Sequence, residues 1–134
     1  MLVRMEEAFP FELWRENGVV NVVFSQTARI DVPCMKDLLR LIAALDPLCQ
    51  VPVLVQLEAP VRMDNEARQL LVRQSQGLNR PVALLSNDMA CRSQGEMLAH
   101  LLKPLFPFRT FAWREEADRW VEGWSRSPSL RVVS

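Results

Sequence analysis

The chain has 134 residues, of which 49% are hydrophobic and 24% charged, and sixteen Lys and Arg balance sixteen Asp and Glu. That length suits one domain with a core large enough to need no staples, and the composition is too apolar for disorder. Zero net charge excludes a dedicated nucleic-acid binder and a polybasic route to membranes.

Residues 11–24 read as a β-hairpin. Asn17-Gly18 is a preferred pair for a two-residue type I′ turn. With that loop Glu16 faces Val19, Leu13 faces Val22 and Phe11 faces Phe24. One face then carries Phe11, Leu13, Val20, Val22 and Phe24 and belongs to the core. The other carries Glu12, Trp14, Glu16, Val19, Asn21 and Val23 and is mixed, as expected of a partly covered edge.

A helix follows. Asp31 is its N-cap and Pro33 is tolerated in the first turn, with Met35, Leu38, Ile42 and Leu45 at helical spacing. Asp46-Pro47 ends it. Val51 to Leu57 is a near-continuous apolar run, the pattern of a strand buried on both faces. Asp64 then caps a short helix with the stripe Ala67, Leu70 and Leu71. Pro81 to Leu85 is a second buried strand, and Ser86, Asn87 and Asp88 suit the start of a helix with the stripe Cys91, Gly95, Leu98 and Leu102. Gly95 costs about 1 kcal/mol against Ala inside a helix, so it predicts a close approach to the sheet. Pro104 stops that helix. Arg109 to Trp113 reads as the last strand and Arg114 to Trp124 as the last helix, with Ala117, Trp120, Val121 and Trp124 on one face. Residues 125–134 read as a loose tail, with Leu130 to Val133 able to pair as an edge strand.

Strand–helix alternation predicts an α/β fold with a mixed, mostly parallel sheet of about five strands, an N-terminal antiparallel hairpin and about four helices. The reading is a single domain over 1–134 with its core over about 10–123.

The N-terminal residues show no secretory h-region, and no apolar run approaches the roughly 20 residues of a spanning helix. Cys34, Cys49 and Cys91 are odd in number and never in a CxxC pair, the usage of a reducing compartment. The expectation is a cytoplasmic protein without a membrane span.

The element order resembles the STAS superfamily, and more closely its SpoIIAA-like, or STAS/SEC14-like, bacterial proteins of unknown function. The likeness rests on Val82-Ala83-Leu84-Leu85, then Arg92 and Gly95, then Lys103-Pro104-Leu105-Phe106-Pro107-Phe108-Arg109, and last Phe111, Glu115-Glu116-Ala117 and Trp120. The resemblance implies a regulatory domain that contacts other proteins. It also implies a phosphorylatable serine at the start of the helix after the third strand, in an aspartate-serine-serine-glycine pattern. Here Asp64-Asn65-Glu66-Ala67 stands in that place. Asparagine cannot accept a phosphoryl group, so the switch is expected to be lost there.

His100 is the sole histidine, so no metal site is expected, and no triad or phosphate loop can be assembled. No catalytic residue and no cofactor are therefore assigned. A helix start can lower a thiol pKa at Cys34 or Cys91, but no base is in reach, and small core residues are the simpler reading. Arg62, Arg92 and Arg114 each follow a predicted strand, on the side where open α/β sheets bind ligands. With Asp64, Asn65 and Ser86 at the adjoining helix starts they form the candidate ligand site, suited to a small anion, nucleotide or lipid headgroup. Trp14, with Val19 and Val23, marks a candidate interface on the outer face of the hairpin. The leading expectation is a non-catalytic regulatory or protein-interaction domain, with an unnamed protein partner or a second copy of itself. The alternative is a binding domain for a small ligand at the strand carboxyl ends.

Overall fold

Asn17 and Gly18 take φ of 54° and 72°, the paired positive values that a type I′ turn requires. They join β1 (Glu12–Glu16) to β2 (Val19–Phe24). The predicted register holds, with Glu16 opposite Val19 and Leu13 opposite Val22. In this computed structural model, which describes residues 9–75, 80–102 and 107–125, β2 continues into a parallel sheet. Its other strands are β4 (Val53–Leu57), β6 (Val82–Ser86) and β7 (Phe108–Phe111), in the order β1-β2-β4-β6-β7.

Two further short strands, β3 (Ala28–Ile30) and β5 (Val61–Met63), pair in parallel as a separate ribbon. The sequence did not announce them. Each has three residues, and each centres on an arginine, so neither makes an alternating run.

Among the described residues four helices each follow a strand: α1 (Val32–Leu45), α2 (Asn65–Gln74), α3 (Met89–Leu102) and α4 (Arg114–Ser125). Asp31 caps α1, its Oδ1 accepting from the Cys34 N–H at 2.9 Å. Asp88 does the same for α3, accepting from the Cys91 N–H at 3.2 Å. Asp64 occupies the N-cap position of α2 without making a side-chain cap bond. It accepts instead from Arg29 Nε of β3 at 2.6 Å, so its carboxylate ties the helix start to the ribbon. That hydrogen bond, and then the carboxylate's charge, raises the Arg29 pKa.

The helices divide unequally between the two faces of the sheet. Val20, Val22 and Phe24 of β2 pack with Met35 and Leu38 of α1 and with Ala67 and Leu70 of α2. Leu98 of α3 joins Phe108, Val82 and Leu84 on that same face. On the opposite face Leu54, Ala83, Leu85 and Phe111 pack under Ala117 and Val121 of α4 alone. Gly95 sits where close approach was predicted: a Cβ there would lie 2.6 Å from Leu84 Cδ2 and 2.7 Å from Thr110 Cγ2.

Two expectations need correction. Trp113 is not core. The last strand ends at Phe111, its pairing with Leu85 being the final one, and the chain turns there, leaving Trp113 68% exposed. The run Val51 to Leu57 is not buried on both faces either, because Val55 and Leu57 are only half-buried. The proposed tail strand at Leu130 to Val133, the stop at Pro104 and the side chain of Leu102 lie outside the described residues.

Candidate functional site

Val55, at the middle of the central strand β4, is flanked by β2 and β6. A residue so placed under three helices should be inaccessible. Val55, Val82 and Leu84 are instead half-buried, while Leu54, Ala83 and Leu85 on the α4 face are buried. The cause is a cavity of about 420 Å3 between the sheet and α1–α3. That volume falls within the roughly 300–1,000 Å3 of small-molecule sites.

The helices expose one stripe each to this space. α1 contributes Met35, Leu38, Leu39 and Ile42, and α3 contributes Cys91, Gly95 and Leu98. α2 contributes Arg68, Leu71 and Ser75, at i, i+3 and i+7. α2 packs on α1 and α3 more than on the sheet, so it forms the roof. Val53, Val55 and Leu57 line the floor along β4, a length of about 13 Å at roughly 3.3 Å per residue.

Charge enters the cavity at two places. At the amino ends of the strands Asp46 and Arg80 are both buried. Asp46 Oδ2 lies 3.3 Å from Arg80 Nη2 and accepts from the Val51 N–H at 2.9 Å, and Asp46 Oδ1 lies 3.8 Å from Arg15 Nη1. Arg80 Nε also donates to Cys49 Sγ at 3.2 Å. The buried Asp46–Arg80 pair balances its own charge, and Arg15 reaches the same carboxylate from the surface. Nearer the carboxyl ends stands Arg68, whose only described side-chain partner is Asn65 Oδ1 at 3.5 Å.

The residues singled out from sequence come together only in part. Ser86 and Arg114 line a second, more polar cleft of about 810 Å3 at the strand carboxyl ends, with Gln56, Asn87, Asp88 and Trp113. Arg92 reaches this side by donating to the Ser86 carbonyl at 2.8 Å. Arg114 is engaged by both Asp118 oxygens and donates to Gln56 Oε1 at 2.6 Å. Arg62 is exposed inside β5 rather than after a strand, and Asp64 is held by Arg29. Arg62, Asp64 and Asn65 line neither space. Trp14 lies on the outer face of the hairpin at 38% exposure, opposite Asn21 and diagonal to Val23. Its Nε1 donates to Glu16 Oε1 at 3.2 Å, while Val19 packs towards the α4 core.

Neither Cys34 nor Cys91 is an activated thiol. Burial, followed by the charges of Asp31 and Asp37, pushes the Cys34 thiol up to about 11. Burial likewise raises the pKa of Cys91. Among the described residues no group of His, Cys, Asp and Glu is arranged to hold a metal ion, and no helix is long and apolar enough to cross a membrane.

Sequence reading missed Arg68, Asp46 and Arg80. Arg68 had a signal, since it shares one helix face with Leu71. Asp46 and Arg80 had none, being 34 residues apart.

Among solved structures, the chain resembles an uncharacterized protein of the DUF3478 family with a SpoIIAA-like fold, from Shewanella loihica PV-4. Identity is 11% and the TM-score 0.53, over 83% of this chain and 91% of that one. The fold is therefore SpoIIAA-like, as the element order implied. No curated protein matches the sequence. Residues 13–125 match the family described as a domain of unknown function, DUF7793, and the chain belongs to that family.

Proposed function

We propose that this chain is a non-catalytic binding domain of regulatory type, whose ligand is a small, predominantly apolar molecule held between the sheet and α1–α3. The observation that carries this reading is the half-exposed centre of the sheet at Val55 and Leu84. Protein interiors pack to crystal-like density with few voids. A space of about 420 Å3 lined mostly by apolar side chains falls in the size range of small-molecule sites. Such a space suits an occupant. The Asn65 amide has no hydroxyl to phosphorylate, so in this reading ligand occupancy takes the place of a phosphoryl switch at that position.

The test uses N-phenylnaphthylamine, a neutral probe that brightens in apolar surroundings. Saturable binding to the wild type with one site, lost in Val55→Phe, supports the reading. Absence of saturable binding, or equal binding by Val55→Phe, contradicts it.

A further inference from the structure

We infer that the ligand of this cavity is a single-chain amphiphile with an anionic head, its chain lying along β4 and its head at Arg68. The inference rests on the reading of the cavity as a ligand site and adds the ligand's chemistry.

Three observations combine. The space is elongated: its floor follows β4 from Val53 to Leu57 and its wall follows α1 from Met35 to Asp46, about 16 Å at 1.5 Å per residue. A linear chain fills such a shape. The lining is aliphatic over most of that length, so the chain gains by leaving water at roughly 25 cal/mol per Å2 of apolar area.

The third observation is the charge balance. Asp46 and Arg80 satisfy each other at 3.3 Å. Arg68 is the remaining charged lining residue, and no carboxylate stands within ion-pair distance of it among the described residues. Its neighbours on the helix start do not neutralise it. Asp64 is bound to Arg29, and Glu66 is exposed and outside the lining. Gln74 and Gln94 add neutral amides to the wall. A guanidinium donates in a planar fork that matches carboxylate and phosphate oxygens. A half-buried one left without an acid partner, at one end of an apolar trough, fits an anionic head rather than a neutral or cationic one.

The experiment is displacement of N-phenylnaphthylamine by laurate, lauryl phosphate and lauryl alcohol, which share a chain and differ in the head. In the wild type both anions should compete at least about tenfold better than the alcohol, the scale of one charge-assisted hydrogen bond. The stronger of the two anions distinguishes a carboxylate from a phosphate head. Arg68→Gln should bring both down to the level of the alcohol measured in the same variant. Equal competition by alcohol and anions, no competition by any of them, or an unchanged preference in Arg68→Gln, overturns the inference while the apolar site stands. Failure of the neutral probe to bind the wild type removes the site itself, and the inference with it.

Discussion

Arg80 Nη2 stands 3.3 Å from Asp46 Oδ2, with the two side chains 10% and 2% exposed. The pair links the end of α1 to the residue before β6's leading proline, and Asp46 extends the link through the Val51 N–H and through Arg15 of β1. Three segments distant in sequence, at Arg15, at Asp46 with Val51, and at Arg80, thus meet at one carboxylate, at the amino ends of the strands.

Removing one partner of a buried pair strands the other. Asp46→Ala should therefore lose about 3–5 kcal/mol, read as a fall in the urea midpoint. The double variant Asp46→Ala with Arg80→Met should be more stable than Asp46→Ala alone, because no uncompensated guanidinium remains buried. A double variant less stable than Asp46→Ala by several kcal/mol would show that Arg80 acts through packing and its bond to Cys49 instead.

Gly95 brings α3 against the sheet at Leu84 and Thr110. Gly95→Ala gains about 1 kcal/mol of helix propensity and meets an overpacking cost of about 1–3 kcal/mol. Leu84 borders the cavity and has room to turn away, whereas Thr110 is about as close to the new Cβ, so the cost should fall mid-range, at about 2 kcal/mol. The expected result is a net loss of about 1 kcal/mol. Gly95→Val should lose clearly more, since its added methyls crowd Leu84 and Thr110 further.

The Cys34 thiol titrates at about 11 against an ordinary 9.0. Near pH 8 the thiolate fraction is then about a hundredfold lower than for a free thiol. The higher intrinsic nucleophilicity of a more basic thiolate returns about tenfold of that. Alkylation of Cys34 by iodoacetamide, mapped by mass spectrometry, should run about tenfold slower than that of a free thiol and should accelerate up to about pH 11. The stability contribution has the matching sign. It is whole below pH 9.0, where both states are protonated, and is lost as pH rises towards about 11.

The parts of the fold that were legible in the sequence rest on local rules. Asn17-Gly18 fixes a turn geometry and through it a register, Asp31 and Asp88 fix helix starts, and Gly95 announces close packing. Each signal lies within a few residues of what it determines. Trp113 misled because strand pairing ends two residues earlier, at Phe111, a limit set by the partner strand. The cavity was illegible for a related reason. Val55 and Leu57 read as core from the near-continuous apolar run Val51 to Leu57, and whether α2 sits down on them depends on how the β3–β5 ribbon and the Asp64–Arg29 contact hold the roof. Those contacts join residues 35 apart in sequence. The predicted arginines share the strand carboxyl ends only in part, because Arg62 lies within β5, a strand too short to leave a pattern.

The most direct test of the central claim is the urea unfolding of Val55→Phe against the wild type, with no ligand added. In a well-packed sheet centre, Val to Phe overfills and loses about 1–3 kcal/mol. Here the ring has about 420 Å3 to enter, so the account predicts unchanged or higher stability, by up to about 2 kcal/mol. A loss of 2 kcal/mol or more would show that α1–α3 pack directly on β4 and that no ligand cavity is there.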